Sequence, residues 1–387
     1  MLTDIVLLNI LHVLNDGFQA SIVLLLPFIS DNLYLNLTIV GILGSLITVL
    51  GIFLTIPAGY LATKIGGMKL LLGALIIYAA GFIITGLTPS LITVVIGFLL
   101  AGTGFALFHP VAFALVARLS SKESRGRTMG AFTAIGDVGR IGIAAGVTFF
   151  VVILGWEMTA IMYGAVAGIL FVLLYIPHKK RTEHISETKK AHTNVPIKSL
   201  LTNKRYVLAV TATTFDNFAS STLFIFLPFL LLSKHLPVSL IGTLTSAYFI
   251  GNFMGKTVLG RLVDSMGNVK VFIAAETLMA LCIILLTNAH SIIPIIVISI
   301  ILGALTKGTA PVTQTLISDS VEHHGSYENA YGVNSVITNI ATTVAPIVLG
   351  ITSDKLGISV SFYVMASIAV LATVPAILYS FAGAHRA

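Results

Sequence analysis

Apolar residues in this chain neither alternate nor keep to one helical stripe; they run in long, nearly unbroken blocks separated by short polar segments. Twelve blocks stand out, at residues 5–30, 37–62, 69–87, 91–117, 127–153, 158–176, 206–232, 238–263, 271–289, 292–317, 330–352 and 358–381. A helix rises about 1.5 Å per residue, so each block is long enough to cross a hydrocarbon core about 30 Å thick. Helices are expected because every backbone N–H and C=O is then paired without water. The predicted fold class is all-α integral membrane, with twelve transmembrane helices. One polar segment is long. Residues 178–205 hold eight Lys and Arg residues and no apolar run of membrane length. The expected organisation is therefore an N-terminal six-helix bundle over 1–177, a basic cytoplasmic linker over 178–205, and a C-terminal six-helix bundle over 206–387.

Composition sharpens this picture. The chain of 387 residues is 56% hydrophobic and 10% charged, with a mean hydropathy of +1.01. Soluble domains carry about 25% charged residues, and a soluble fold cannot hide this much apolar surface. The formal net charge of +7 would suggest nucleic acid in a soluble protein. Here its cause is topological, and no nucleic-acid partner is expected. With the N-terminus in the cytoplasm, seventeen of the 22 Lys and Arg residues fall in cytoplasmic segments, and only Lys234 and Lys355 in outer loops. That asymmetry sets both termini inside. The linker's basic residues act as a topology determinant or touch anionic lipid. Residues 1–4 lack a basic signal-peptide region, so the block from Ile5 reads as a retained first span. The lone cysteine, Cys282, excludes an internal disulfide.

The two halves repeat. Asn15-Asp16-Gly17-Phe18 with Pro27 recurs as Asp216-Asn217-Phe218 with Pro228. Gly59-Tyr60-Leu61-Ala62-Thr63 recurs as Gly260-Arg261-Leu262-Val263-Asp264, and His109-Pro110 as Ala310-Pro311. Six spans is an even number, so both halves enter the membrane from the same side. This is a parallel repeat with its axis along the membrane normal.

These features resemble the major facilitator superfamily in span count, linker position and repeat. The stretch Gly59-Tyr60-Leu61-Ala62-Thr63-Lys64-Ile65-Gly66-Gly67-Met68-Lys69 is similar to that family's signature loop, with Thr63 at the usual acidic position. The second copy, from Gly260 and Arg261 to Lys270, keeps the acid as Asp264. The resemblance implies that Gly59, Lys64, Gly66, Lys69, Gly260, Arg261 and Asp264 serve gating on the cytoplasmic side. Two further stretches are similar to the fosmidomycin-resistance-like group of drug exporters. They are His12-Val13-Leu14-Asn15-Asp16 with Gln19, and Gly102-Thr103-Gly104 followed by Phe108-His109-Pro110. The chain departs from that group at Gly136-Asp137-Val138-Gly139-Arg140, where the group tends to carry neutral residues. The resemblance implies a secondary active transporter that moves a small solute by alternating access.

Ionisable groups at membrane depth are costly and mark function. Asp16 and Asp216 lie near the middle of the first span of each half. His12 and Asp16 are four apart and share a helix face with Gln19. A carboxylate in low dielectric is expensive to keep charged, so Asp16, paired with His12, is the candidate for proton coupling; a structural Asp tying helices together is the alternative. The substrate cavity is expected to draw on Gln19, His109, Asp137, Arg140, Asp216, Asn217, Lys307 and Gln314. His109 precedes Pro110 and reads either as a substrate contact or as part of a helix kink. Glycines at 136, 139, 142 and 146 form a smooth face in the fifth span. Asp137 pairs either with Lys256 across the two halves or locally with Arg140. Lys307 requires a counter-ion, with Asp216 available, or an anionic ligand. Glu276 reads as structural or snorkelling. Adjacent His323 and His324 with Glu322 look metal-like but fit a solvated loop, so no metal is expected. No phosphate-binding loop and no nucleophile–base pair appears, so neither a cofactor nor enzyme activity is expected.

The favoured reading is a proton-coupled exporter of drugs or metabolites. An importer of a nutrient, organic anion or siderophore is the alternative, and a non-transporting receptor or channel a third class. The expected setting is a monomer in the cell membrane, the inner membrane in a Gram-negative cell. Its partners are a small-molecule substrate, protons and the lipid bilayer.

Overall fold

The computed structural model describes residues 2–120, 125–178, 197–321 and 327–384. Every regular element among them is a helix. In chain order these are α1 (Leu2–Leu24), α2 (Leu26–Asn32), α3 (Leu37–Ile65), α4 (Gly67–Leu87), α5 (Leu91–Leu119) and α6 (Arg125–His178). There follow α7 (Ile197–Thr202), α8 (Lys204–Ser221), α9 (Leu223–Ser233), α10 (Val238–Met266), α11 (Asn268–Asn288), α12 (Ile292–Val321), α13 (Tyr327–Leu356) and α14 (Ile358–Ala384). The linker residues 179–196, and Glu322, His323 and His324, lie outside the described residues. The last part of the expected linker is helical, as α7 and the start of α8.

Three expected spans differ in detail. The first breaks at Leu25, just before Pro27, and the seventh at Thr222, upstream of Pro228. Pro27 lacks an N–H and its ring crowds the Val23 carbonyl, which weakens the helix at that turn; Thr222 lies six residues before Pro228, beyond that effect. The fifth and sixth spans run into one another as α6, broken only at Gly155, whose backbone (φ 77, ψ 164) is open to glycine alone. Ten stretches among the described residues are long and apolar enough to cross a membrane. The sequence count is twelve. The difference has two sources. Residues 131–178 run through Gly155 as a single stretch, and α10, with Asn252, Lys256, Arg261 and Asp264, is not among the ten.

Helix starts follow from local chemistry. Asn36 Oδ1 accepts from Ile39 N–H at 2.9 Å to cap α3. Ser90 and Thr93 form a reciprocal capping box on α5. Asn203 Oδ1 accepts from the Arg205 and Tyr206 N–H groups to start α8.

The chain divides into two compact units. Unit 1 comprises Met1–Thr188 with His235–Ser246, and unit 2 Lys189–Lys234 with Ala247–Ala387. The spacing of the repeat recurs in the backbone. Tyr34 and His235, Gly66 and Gly267, and Gly155 and Gly357 are the residues with positive φ among the described ones. Each pair is 201 or 202 positions apart.

Within unit 1, α1 lies against the first part of α6 with almost no side chain between them. A Cβ at Gly139 would overlap the Val13 carbonyl, and one at Gly17 would sit 2.7 Å from Ile143 Cδ1. An aromatic cluster of Phe18, Tyr78, Phe82 and Tyr163 fills the space behind α1. Tyr163 reaches back across the Gly155 break to donate to the Ile143 carbonyl at 2.7 Å. The first turns of α10 belong to this unit, where Ser246 donates to the Ile141 carbonyl. In unit 2, α10 and α12 touch through Gly251, Gly255, Gly303 and Gly308, each too close to the opposing backbone for a Cβ. Close backbone approach through small residues is how helices associate where lipid supplies no hydrophobic drive. The outer faces are the reverse of a soluble protein's. Phe53, Phe149, Ile153, Ile169, Leu173 and Ile176 are exposed, while His12, Asp16, Asp137, Asp216 and Glu276 are buried.

Candidate functional site

The centre of unit 1 is a charged cluster on three elements. Asp16 on α1 accepts from Arg140 Nη2 on α6 at 3.0 Å. Arg140 Nη1 also meets Asp137 Oδ1 at 3.0 Å, so one guanidinium bridges two buried carboxylates. His12 Nε2 faces Asp16 Oδ2 at 3.5 Å, and His109 Nε2 on α5 faces Asp16 Oδ1 at 3.4 Å. Asn15 Nδ2 donates to Asp16 Oδ1, and Tyr78 O–H on α4 donates to Asn15 Oδ1 at 3.2 Å.

The imidazoles are held in fixed orientations. His12 stacks between Phe108 and Phe132, with ring centroids 5.6 and 4.3 Å away. Its Nδ1 lies 2.8 Å from the Phe132 carbonyl oxygen. A carbonyl only accepts, so this nitrogen carries a hydrogen. The lone pair of a neutral His12 ring would then sit on Nε2 and point at the Asp16 carboxylate, a repulsive contact. It becomes attractive when a cation lies between the two groups. Gly136 makes the approach possible, because a Cβ there would stand 2.5 Å from Asp16 Oδ2 and 2.7 Å from His12 Nε2.

His12, Asp16 and His109 also offer three ligand atoms within 4.8 Å of one another, a spacing that would suit a metal ion. The position of the Arg140 guanidinium argues against one. Arg140 already occupies the carboxylate, and a divalent ion beside a guanidinium would be strongly repelled.

Unit 2 has its own buried polar group. Asp216 on α8 accepts from Thr309 O–H on α12 at 3.2 Å. Lys307, two residues earlier on α12, lies within Coulombic reach of Asp216. The Glu276 carboxyl on α11 faces Asp216, and its side chain is fully enclosed. Of the two readings open to Glu276, structural or snorkelling, its burial removes snorkelling: apolar flanks on a helix do not reveal which face turns inward.

A sequence profile of the Major Facilitator Superfamily matches residues 8–237 and again 209–386, which together cover nearly the whole chain. The chain belongs to this superfamily. The Aspyridones efflux protein apdF of Emericella nidulans is 25% identical over 215 residues. That match spans 55% of this chain and 40% of the length of the curated relative. Two solved structures of a bacterial homologue of the human lysosomal transporter Spinster, inward-facing and either unoccupied or occupied, share the fold. Their TM-scores are 0.76 and 0.74 at 14% identity, covering 98% of this chain and 96% of theirs. Family and fold place the chain among the multi-pass membrane proteins of this superfamily.

Against this Major Facilitator fold, the residues singled out from sequence sort clearly. His12, Asp16, His109, Asp137 and Arg140 converge in unit 1, and Asp216 and Lys307 in unit 2. Of the two pairings open to Asp137, the local one with Arg140 is formed. The glycine face of the fifth span is divided: Gly136 and Gly139 serve α1, Gly146 meets the Tyr163 hydroxyl, and Gly142 faces open space. Asn217 turns to the Thr213 carbonyl of its own helix. Gln19 is half-buried, Gln314 is exposed, and neither adds a polar contact to the clusters described above. Among the loop residues, Gly66 and Gly267 supply the positive φ of the turns after α3 and α10. Lys64 lies over the Tyr60 ring at 4.6 Å. Gly59, Arg261 and Asp264 are more open to solvent or lipid, Lys69, Lys256 and Gly260 less so. Sequence reasoning missed Tyr78 and the Phe132 carbonyl. Asn15 beside Asp16 was the one available hint of a supporting network.

Proposed function

We propose that this chain is a proton-coupled secondary transporter of a small amphipathic or anionic solute, working by alternating access, with export its direction. The observation that carries the coupling is the fixed His12 ring. With Nδ1 committed to Phe132, its Nε2 meets Asp16 favourably only when a proton is bound between them. The tally of charge agrees. Asp16 and Asp137 bring two negative charges and Arg140 one positive, so a single proton on the histidine–aspartate group neutralises the buried cluster. Loss of that proton leaves the cluster one negative charge in excess, which favours a different arrangement of Arg140 and its helix. His109, half-exposed on the other side of Asp16, is the group through which substrate or proton enters. Export follows the efflux protein among the relatives and the resemblance of α1 and α5 to the fosmidomycin-resistance-like group.

The same reading has twelve crossings, with the two limbs of α6 and the amphipathic α10 each counted as one. Both termini are cytoplasmic, and the protein acts as a monomer in the cell membrane. The signature segments around the turns after α3 and α10, with Lys64, Lys69, Arg261 and Asp264, gate the cytoplasmic side, and Lys256 acts within α10.

The test is flux in proteoliposomes under an imposed pH gradient, with fosmidomycin and ethidium as probes and internal pH followed by an entrapped dye. Wild-type protein is expected to couple probe movement to proton movement. Asp16→Asn, which keeps shape but removes the charge, is expected to lose the gradient-driven component. Unchanged pH-driven flux in Asp16→Asn would sink the coupling role. Flux indifferent to the gradient in the wild type would point to a channel.

A further inference from the structure

We propose that Asp216 and Glu276 share one proton and form a second proton-binding site, in unit 2, beside Lys307. The site is read from unit 2 alone and stands whether or not Asp16 couples transport. Glu276 is 0% exposed, and among the described residues no N–H or O–H group donates to either of its carboxylate oxygens. A buried carboxylate without a donor is among the most expensive arrangements a protein can hold. The polar group that Glu276 does face is a second carboxyl, Asp216. Two carboxylates repel at that range, whereas a carboxylic acid donating to a carboxylate is a short, charge-assisted hydrogen bond. One proton therefore turns the contact from repulsive to attractive. Asp216 Oδ1 takes the Thr309 hydroxyl, which ties Asp216 to α12.

Charge balance gives the stoichiometry. The two carboxyls bring two negative charges and Lys307 one positive, so one proton makes the enclosed group neutral. The other titratable groups on the elements packed against the pair are engaged elsewhere. On α14, Tyr363 donates to Asn288 Oδ1, and the Tyr379 hydroxyl meets Arg205 and the Leu316 carbonyl. Tyr206 on α8 donates to the Ala330 carbonyl, and Tyr331 on α13 to the Gln314 carbonyl. Asp319, at the far end of α12, accepts from Asn268. On α11, Lys270 is exposed in the first turn, nearly two turns before Glu276; Asp354 and Lys355 are exposed in the last turn of α13. Lys307 is the charge that answers the pair. The consequence is a carrier with a proton-binding group in each half: the histidine–aspartate cluster of unit 1, and a carboxyl pair with a lysine in unit 2.

Infrared spectroscopy of purified protein in a maltoside detergent, which has no ester carbonyl, reads the proton directly. At neutral pH the wild type is expected to show a protonated-carboxyl C=O band that shifts in heavy water. Glu276→Gln, an isosteric change that donates an amide N–H to Asp216, is expected to abolish that band. Lys307→Met removes the compensating charge and is expected to bring in a second proton, about doubling the band. Asp16→Asn is expected to leave it in place, so this site and the coupling role of Asp16 fail or survive separately. A wild type without the band, a band that persists in Glu276→Gln, or one unchanged in Lys307→Met would overturn the shared-proton pair.

Discussion

At the scale of single residues, the unit 1 cluster depends on the absence of side chains as much as on charges. Gly136 and Gly139 let α1 approach α6 closely enough for Asp16 to reach Arg140. Overpacking a tight contact costs about 1–3 kcal/mol. Gly139→Ala is therefore expected to lower the thermal midpoint of the purified protein. Gly142→Ala, which adds a methyl facing open space, is expected to be neutral or slightly stabilising, since alanine is the better helix former by about 1 kcal/mol. Equal effects from the two substitutions would refute the close α1–α6 contact. Gly136→Ala adds a methyl against both His12 and Asp16, and is expected to reduce gradient-driven flux more than it reduces stability. Flux readings at a temperature where the variant remains folded separate the two.

At the scale of elements, the breaks matter more than the helices. Gly155 turns the chain between the two limbs of α6 with a backbone conformation that an L-residue adopts only under strain. Gly155→Ala is expected to cost about 1–3 kcal/mol, measured as a lower melting temperature. Gly73→Ala, mid-helix with nothing near its added methyl, is the matched control. A Gly155→Ala protein as stable as wild type would mean that the limbs join differently. The paired breaks also bear on how much was legible. The sequence blocks located nearly every helix, because a run of apolar residues reports its own length to the bilayer. The break within α6 was legible only as the short gap from 153 to 158. The breaks at Leu25 and Thr222 fell inside expected spans. A proline signals a weakened turn, and the packing around that turn decides whether the helix bends or divides.

At the scale of the whole molecule, large apolar side chains are exposed along the helices while ionisable groups lie buried in each unit. Ile169 lies on the exposed face of the second limb of α6, with Val166, Leu173 and Ile176. If that face meets lipid, Ile169→Arg is expected to cost about 2.5–3.5 kcal/mol of insertion, read as a fall in membrane-inserted protein on expression. Ala167→Leu, a buried position on the same helix, is expected instead to insert normally and to lower thermal stability. Normal insertion of Ile169→Arg would contradict the lipid-facing assignment.

The sequence by itself determined what depends on local free energy. Apolar block length reads out the transfer of one helix into lipid, which needs no partner. The internal repeat was equally visible, because equivalent positions carry equivalent residues, and positive-φ residues recur in the backbone at the same spacing. It was also enough to single out Asp16, Asp137, Arg140 and Lys307 as costly groups. Only the tertiary structure decided which of them meet. Arg140 bridges Asp16 and Asp137, His12 is oriented by a backbone carbonyl that no sequence pattern marks, and Glu276 faces Asp216 from a different helix. The physical reason is that the cost of burying a charge is a property of one residue. Its compensation belongs to groups far apart in the chain, and helix rotation and close packing set where those groups point.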